Sequence, residues 1–374
     1  LGDAPRFSRV STRRAMLVNA TTRDINDGYV ELSAQIRDAG LLQRRHGYYA
    51  LKGTLTLAAL TATWTALFAL GNTWTALPIA AVLGIIFTQI VFFGHDAGHH
   101  QIFDNPHANH TVGLIAGNLL TGLSFGWWVP KHGAHHAHPN QIDRDPDIGP
   151  GAIAFTAQTA ANRHRTLSRL AARYQAWTFF PLLTLEGAGL HLASLQHLHH
   201  QKTRTARIET ALIATHTAAY LGAIFWTLSP LKALAFITIH QATFGLYMGC
   251  SFAPNHKGMP TIAADARPSY AERQILTARN VTGGPLITFL LGGLNYQIEH
   301  HLFPRMPRAN LARSRPLIQA FCANHGLTYH QDNIIGSYRA ALTHLHTIGT
   351  GGHDPTLPER RTNATSKRAL QDAA

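Results

Sequence analysis

Histidines recur in this chain in short groups whose spacing suits metal binding. Three groups stand out: HDAGHH at 95–100, HGAHH at 132–136 and QIEHH at 297–301. A further histidine, His256, lies in the string NHKGMP at 255–260. Side chains three or four residues apart share one face of a helix, so two imidazoles at that spacing can bind one ion. These groups therefore predict a histidine-rich metal site.

The number of these histidines predicts two metals rather than one. The candidate ligands are His95, His99, His132, His135, His136, His256, His300 and His301. One ion offers about four to six positions, fewer than this set of nitrogen atoms would fill. Imidazole suits zinc, copper, iron and nickel, so the residue type alone does not select the metal. The alternative is that these are polar histidines at helix ends beside a membrane.

Four polar residues next to the histidines complete the candidate site. Asp96 and Glu299 are placed to accept the second N–H of a ligand imidazole and so orient it. The alternative interpretation is that both are exposed carboxylates beside a basic face of the protein. Asn255 is a candidate to hold a metal-bound water. Gln297 is a candidate weak ligand or orienting group.

Two other patterns compete with this interpretation. The string QHLHH at 196–200 has the same spacing as QIEHH at 297–301, so spacing alone does not separate them. The string IDRDPDI at 142–148 resembles a cation-binding loop, but it lacks the glycine that a calcium loop needs, and we interpret it as an acidic loop. The roles of His191, His197, His199 and His200 stay open.

Composition narrows the class of protein. The 374 residues include 25 His and 19 Asp+Glu, and charged residues are 14% of the chain, against roughly 25% in ordinary soluble proteins. Two cysteines exclude a disulfide framework and a thiolate metal site. The net charge of +13 admits nucleic-acid binding, but it equally suits a membrane protein with basic faces.

Uncharged segments predict the elements that position the histidines. Residues 53–93 contain neither a charged residue nor a histidine, which is long enough for two membrane crossings. Breaks at 71–73 and at 229–230 divide two such regions into four predicted spans. These spans cover about 53–70, 74–93, 210–231 and 233–254. The sequence therefore predicts two transmembrane hairpins, and the first histidine group follows the second span.

The basic residues orient these hairpins. Of the 32 Lys and Arg, only Lys232 falls in a connection on the far side of the predicted spans. Cytoplasmic segments are enriched in Lys and Arg. We therefore predict that both termini, the central connection and all histidine groups are cytoplasmic. The positive charge then orients a membrane protein, and nucleic acid is not an expected partner.

Three further apolar stretches are predicted to lie at the membrane surface. They are 111–130, 174–195 and 281–296. If 111–130 alone crossed the bilayer, the basic central connection would move outside, so we interpret all three as interfacial or re-entrant. The alternative is that 111–130 and 174–195 form a third spanning pair. The predicted domains are a soluble lead-in at 1–45, a membrane domain at 46–330, and a C-terminal helix with a disordered tail at 331–374.

Together, the three groups resemble the histidine boxes of the membrane fatty acid desaturase family, HxxxH, HxxHH and [H/Q]xxHH. The strings GNLLTGLSFGWW, FAPNHKGMP and NYQIEHHLFPRMPR strengthen the resemblance, which covers about residues 50–320. Gln297 resembles the front-end branch of the family. The family places its third box after the second hairpin, which favours 297–301 over 196–200. No HPGG haem motif of a fused cytochrome b5 occurs in the chain.

The resemblance implies an all-α integral membrane enzyme with four transmembrane helices and a cytoplasmic cap that carries a di-metal histidine site. It implies O2-dependent desaturation of a fatty acyl chain, carried by CoA or by a lipid, at two non-haem irons. Electrons would come from a separate donor, such as ferredoxin or cytochrome b5 with its reductase. The acyl chain needs an apolar tunnel, for which Phe125, Trp127, Trp128 and Phe303 are wall candidates or, alternatively, interface anchors.

Two rival functions remain at this point. The same di-iron site would serve a fatty acyl or lipid hydroxylase, because hydrogen abstraction is common to both reactions. A membrane electron carrier with haem or another metal belongs to a different class. It would place paired histidines in the middle of the spans, where the sequence has only His216 and His240.

Overall fold

The computed structural model describes residues 22–352 and is mostly helical. The first half comprises α1 (Thr22–Asp38), α2 (His46–Leu70), a 3-10 turn (Trp74–Ala76), α3 (Leu77–Gly98), α4 (Pro106–Leu114), a π-helical turn (Ile115–Leu120), α5 (Phe125–Ala137), α6 (Ala157–Ala161), α7 (Thr166–Arg173), α8 (Gln175–Leu183) and α9 (Glu186–His200). The second half comprises α10 (Arg204–Thr227), α11 (Pro230–His256), α12 (Tyr270–Leu276), β1 (Asn280–Thr282), α13 (Gly284–Leu290), α14 (Gln297–Leu302), α15 (Arg308–Asn324), β2 (Gln331–Asn333) and α16 (Ile334–Gly349).

Four helices are long and apolar enough to cross a membrane. They are His46–Leu70, Trp74–Gly98, Arg204–Thr227 and Pro230–His256. Each contains most of one predicted span. The predicted breaks also occur: α2 ends at Gly71, whose φ is +61°, and Ser229–Pro230 begins α11. The helices run several residues beyond the apolar segments, because nothing in a charged or histidine side chain prevents a helix from continuing.

The second and fourth of these helices form the centre of the bundle. A Cβ on Gly84 of α3 would lie 2.9 Å from the His240 carbonyl oxygen of α11. His240 is fully buried, and its Nδ1 lies 2.7 Å from the Tyr220 hydroxyl of α10. This buried histidine thus bonds a neighbouring helix, as polar groups in apolar surroundings commonly do.

The three shorter apolar stretches are all broken. Pro106–Leu120 and Phe125–Ala137 meet at a bend of 116°, and counted as one bent span they would raise the number of crossings to five. The stretch 174–195 is divided between α8 and α9, and 281–296 contains only the seven residues of α13 as helix. These bends match the interfacial or re-entrant interpretation, although the membrane positions of the stretches stay a prediction.

A buried carboxylate holds the bend before α5. Glu209 of α10 is 3% exposed. Its Oε2 accepts hydrogen bonds from the Ser124 hydroxyl at 2.7 Å, the Asn118 side-chain amide at 2.9 Å and the Gly126 N–H at 3.1 Å. The free N–H groups at a helix start favour negative charge, so this position suits an unpaired carboxylate. Glu209 therefore fixes the start of the helix that carries the second histidine group.

The remaining helices form a cap beside the histidine-bearing ends of α3 and α11. Ile36 of α1 packs in one apolar core with Ile275 of α12, Ile298 of α14 and Ile318 of α15. The described part of the predicted lead-in is thus joined to this cap. β1 and β2 form a parallel pair, and α16 follows β2. The predicted disordered tail lies largely outside the described residues, as do residues 1–21.

Candidate metal centre

The first cluster of histidines forms where α3 ends. The helix continues past its apolar segment to Gly98, so His95 and His99 project from one face. His132 of α5 and His300 of α14 meet them there. One ligand nitrogen from each of the four lies within 4.8 Å of the others. The His99 and His132 Nε2 atoms are 2.9 Å apart.

The second cluster forms between the ends of α5 and α11. It comprises His135, His256 and His301, all buried, with ligand nitrogens again within 4.8 Å of one another. The His256 Nε2 lies 3.1 Å from the His301 Nε2 and 3.4 Å from the His135 Nε2. His256, which follows the last predicted span, therefore lies together with His135 of the second histidine group and His301 of the third.

His136 lies between the two clusters. Its Nε2 is 3.1 Å from the His132 Nε2, and its ring stacks on His301 with the centroids 4.2 Å apart. The eight predicted ligands thus fall within one buried region, four in one cluster, three in the other and one between them. Two metals would correspond to the two clusters, and their number stays a prediction.

Hydrogen bonds at Nδ1 hold the second cluster in one orientation. His135 donates to the Asp145 carboxylate at 3.0 Å, His256 to the Thr277 carbonyl at 2.9 Å, and His301 to the Gln274 side-chain oxygen at 2.9 Å. Each ring then presents its Nε2 to the other two. Ligand histidines are held in this way in metal sites generally, because the second N–H fixes the tautomer and the ring direction.

The donor set fits a pair of metal ions. The His95 Nε2 and both His300 nitrogens are buried without a hydrogen-bond partner among the described atoms. Burial lowers the pKa of His132, His136, His300 and His301 well below the usual value, so these rings are neutral and each keeps a bare lone pair. Facing lone pairs are unfavourable without a cation between them. Iron is among the ions that imidazole suits.

Asp145 raises the pKa of His135, which distinguishes this candidate ligand from the others. Burial lowers the pKa of His135, but the facing Asp145 carboxylate more than offsets this effect and leaves the pKa above its usual value. A carboxylate that stabilises a proton on an imidazole also stabilises a bound metal ion. Lys131 and Lys257 both contact Asp147, the next acid in the loop. The predicted acidic loop at 142–148 therefore adjoins the histidine clusters. From the sequence alone this loop resembles only a calcium loop, and its link with the histidines is not predicted.

Asp96 lies beside a candidate ligand ring, whereas Glu299 bonds residues outside the clusters, and the orienting roles of both stay predictions. The Asp96 carboxylate lies 3.3 Å from the His95 Nδ1 and 2.7 Å from the Arg308 guanidinium. Glu299 accepts hydrogen bonds from Tyr329 at 2.6 Å and Asn280 at 2.7 Å, and within the described residues it contacts no imidazole. Residues two apart on a helix point about 200° away from each other, so Glu299 lies on the side of α14 away from His301.

Gln297 and Asn255 lie at the edge of the second cluster. The Gln297 Nε2 is 2.8 Å from the His256 Nε2, and its Oε1 accepts a hydrogen bond from Asn255 at 3.3 Å. The Asn255 Oδ1 is buried and has no partner among the described atoms. Both side chains therefore reach the region where a metal-bound group would lie, and their roles stay a prediction.

The competing QHLHH group lies elsewhere. It occupies the end of α9, where His199 and His200 are exposed. His191 bonds the Gly122 carbonyl at 3.0 Å. Sequence reasoning missed Gln274, which links two ligands through the His301 Nδ1 and the His136 carbonyl. No spacing signal marks such a residue, because it reaches the site from a separate helix.

A cavity of about 400 Å³ adjoins the centre. His132, His256 and Gln297 line one part of it, and Leu190 and Met248 belong to its apolar wall. Three predicted wall residues, Phe125, Trp127 and Trp128, line it as well. The fourth, Phe303, instead stacks on Tyr29 in the cap with the ring centroids 5.6 Å apart. An apolar space beside oriented imidazoles suits oxidation of a hydrocarbon chain.

Comparison with known proteins agrees with this geometry. The model of the fatty acid desaturase family matches residues 72–333. The chain is 30% identical over 341 residues to a Delta(5) fatty acid desaturase of Caenorhabditis elegans, an alignment that covers 87% of the chain and 74% of that protein. It is also 30% identical to a Delta(6)-fatty-acid desaturase of the same organism, covering 87% and 76%.

A plant relative is similar to the same degree. The chain is 30% identical over 329 residues to an acyl-lipid (9-3)-desaturase of Physcomitrium patens, covering 84% of the chain and 61% of that protein. The matched region contains all three histidine boxes and His256. The two imidazole clusters, the apolar cavity and these matches lead to one conclusion: the chain belongs to the fatty acid desaturase family and is an oxidoreductase.

Proposed function

We propose that this chain introduces a carbon–carbon double bond into a fatty acyl chain at a pair of non-haem irons. The reaction removes one hydrogen from each of two neighbouring carbons. O2 is reduced to two molecules of water, using these two hydrogens together with two electrons and two protons from outside the substrate. Iron supplies the oxidising power that no protein side chain has, because an unactivated C–H bond yields to no acid or base of the protein.

The observation that carries the proposal is the pair of imidazole clusters beside an apolar cavity. Seven of the eight proposed ligands belong to the two clusters, and His136 lies between them. His132, His135 and His256 also line the cavity, so an acyl chain inside it would lie next to both clusters. Such proximity is what a positioned oxidation requires.

The chain's own polar groups keep the ligands in place. Asp96, Asp145, Gln274 and the Thr277 carbonyl hold four ligand rings through Nδ1. The aromatic wall orients the substrate and excludes water, which keeps the reacting carbons dry. We assign Gln297 and Asn255 to the positioning of a metal-bound water, since both extend toward the second cluster.

Electrons are proposed to come from a separate protein. Ferredoxin, or cytochrome b5 with its reductase, is a suitable donor class. We further propose that the four long helices cross the membrane as two hairpins and that the cap with its metal centre lies on the cytoplasmic side. The distribution of Lys and Arg supports this orientation.

Expression in a host with a defined set of acyl chains tests the proposal. Fatty acids extracted from the host should contain a new unsaturated species, which disappears with His135→Ala and with His300→Ala. His199→Ala is the matched control, because that side chain is exposed at the end of α9. It should leave the product unchanged.

Metal analysis of the purified protein provides a second readout. We expect two non-haem irons per chain, and a lower content in the two cluster variants. Hydroxylated rather than unsaturated acids would instead show a hydroxylase. A protein without metal under these conditions would refute the proposed centre.

A further inference from the structure

The exposed part of the cavity lining marks its mouth. Five lining residues are exposed, and four of them lie in the loop 146–152. The fifth, Glu186, interacts electrostatically with Lys131 and Asp147, which also belong to the lining. We call this loop, together with Lys131 and Glu186, the rim. The cavity opens to the surroundings at the rim.

The loop of the rim lies beside the histidine-bearing end of α11. The Lys257 Nζ, directly after the last residue of that helix, donates to the Asp147 carbonyl at 3.0 Å. From there the cavity lining continues along α11 through His256, Ala253, Phe252, Gly249 and Met248. Nine positions separate Lys257 from Met248, a distance of about 14 Å at 1.5 Å per residue. The cavity thus extends from the rim into the helix bundle.

Apolar side chains close the far end of the cavity. Met248 is 7% exposed and Leu123 8%, and both belong to the apolar core of the bundle together with fully buried Phe244. Val91 and Leu190 line the cavity and pack against the same core. We call Val91, Leu123, Leu190 and Met248 the floor.

The two ends of the cavity differ in polarity. No floor residue has a nitrogen or an oxygen in its side chain, whereas the rim contains Lys131, Asp147 and Glu186. A carboxyl group or its ester at the floor would lose its hydrogen bonds to water without gaining others. An acyl chain inside the cavity therefore has its methyl end at the floor and its carboxyl end at the rim.

Candidate ligands line the cavity between these two ends. His256 precedes the rim contact at Lys257 and lies eight residues along α11 from Met248, and His95 lies four residues along α3 from Val91. These spacings correspond to about 12 Å and 6 Å of helix. The part of an acyl chain that extends beyond the clusters therefore has a limited length before it meets the floor.

Hydrogen bonds hold part of the floor in place. The His191 Nδ1 bonds the Gly122 carbonyl at 3.0 Å, and the Ser124 N–H donates to the Ser194 hydroxyl at 3.0 Å. These two bonds flank Leu123 and join its segment to α9, the helix that carries another floor residue. Closely packed interiors admit an extra methylene group only at a cost in free energy. The floor is thus a fixed stop.

We propose that Met248 and Leu190 determine the longest acyl chain that this enzyme desaturates, because they stop the methyl end of the chain at the floor. The inference rests on the proposed desaturase function. The position of the double bond, counted from the carboxyl end, depends instead on the distance from the rim to the clusters. A change at the floor should therefore alter the accepted chain length and leave that position unchanged.

Opposite changes at the floor test the proposal. Met248→Ala shortens a floor side chain and should admit longer substrates, and Leu190→Phe enlarges one and should exclude the longest. Each full-length variant is expressed in the same host, which is supplied with a homologous series of fatty acids that differ by two carbons. Mass spectrometry gives the converted fraction of each chain and the position of its double bond.

The expected shift is large enough to measure. One methylene group in an apolar pocket changes the discrimination between substrates by about tenfold or more. Met248→Ala should therefore raise conversion of the next longer acid by about tenfold relative to the longest acid that the unmodified protein accepts. Leu190→Phe should lower conversion of that longest acid by about tenfold relative to the shorter ones.

Met306→Ala and Leu192→Phe are the matched controls. Met306 is buried in the core of the cap, Leu192 is exposed on α9, and neither lines the cavity. Both controls should leave the distribution of product lengths unchanged. Loss of folded protein would lower the conversion of all chains alike, so it cannot produce opposite shifts in the two floor variants.

The outcomes separate this inference from the proposed function. An unchanged length distribution in a floor variant overturns the assignment of that residue, and an equal shift in its control does the same. A double bond that moves along the chain in Met248→Ala also overturns it, since the floor would then position the reacting carbons. If the unmodified protein forms no unsaturated product from any acid in the series, the proposed function fails and the inference falls with it.

Discussion

At the scale of single residues, the centre depends on groups that hold the imidazoles rather than on the imidazoles alone. A neutral histidine ring has two tautomers, and the wrong one points a proton at the position where a metal would bind. Asp145, Gln274 and the Thr277 carbonyl each remove that choice for one ligand. Of these, Asp145 also contributes charge, because it is 3% exposed and faces His135 from close range.

Replacing Asp145 should therefore weaken the metal centre. In Asp145→Asn the side-chain oxygen still accepts a hydrogen bond from His135, but the negative charge is lost. Loss of an orienting carboxylate typically lowers metal affinity or activity by about 10–100-fold. Iron titration of the apo-protein and the rate of product formation measure the effect.

Asp143→Asn is the control for this prediction. Asp143 lies two residues away in the same loop and is exposed, with φ at +62°, a conformation that asparagine tolerates well. Iron affinity of Asp143→Asn should equal that of the unmodified protein. If Asp145→Asn binds iron as tightly as the unmodified protein, the carboxylate serves only to hold the loop. It accepts hydrogen bonds there from the backbone N–H groups of Asn140 and Asp147.

At the scale of elements, the histidine helices and the four long helices could be predicted, and the bends between them could not. A run without charge is visible in the sequence and has one stable solution in lipid. The 116° bend before α5 has no such local signal. It depends on Glu209, which comes more than eighty residues later and looks in the sequence like an ordinary acid at a helix start.

The neutral variant Glu209→Gln tests this bend. A glutamine carbonyl oxygen can take the Oε2 position and accept the same three hydrogen bonds, but the negative charge that strengthens them is lost. We expect the free energy of unfolding to fall by about 1–3 kcal/mol. Because α5 carries three proposed ligands, iron content should fall as well.

Thermal unfolding in detergent and elemental analysis measure these two effects. Glu31→Gln removes a charge from an exposed site of α1 and should change neither. A Glu209→Gln protein with unaltered iron content would show that the bend is held by the packing of the surrounding helices instead.

At the scale of the whole molecule, one basic residue tests the orientation of the bundle. Lys232 lies at the connection between α10 and α11, where its Nζ donates to the Asn72 carbonyl at 2.7 Å and so joins the two hairpin turns at one end. The other 31 basic residues lie in segments assigned to the opposite end. From the positive-inside rule we expect the end with Lys232 to be external.

Cysteine labelling distinguishes the two orientations. In a background without Cys250 and Cys322, Lys232→Cys should react with a membrane-impermeant maleimide on intact cells. Arg169→Cys, on the exposed face of α7, should react only after permeabilisation. The reverse pattern would show the metal-bearing cap on the outside.

The separation of the ligands along the chain constrains the order in which the enzyme matures. His95 and His135 emerge early in synthesis, but their cluster partners His300 and His301 follow only after both long-helix pairs. A nascent chain that stops before α14 lacks His300 and His301, so both clusters are incomplete. Complete loading of the proposed centre therefore has to wait for α14, and a chain truncated before it lacks a candidate ligand in each cluster.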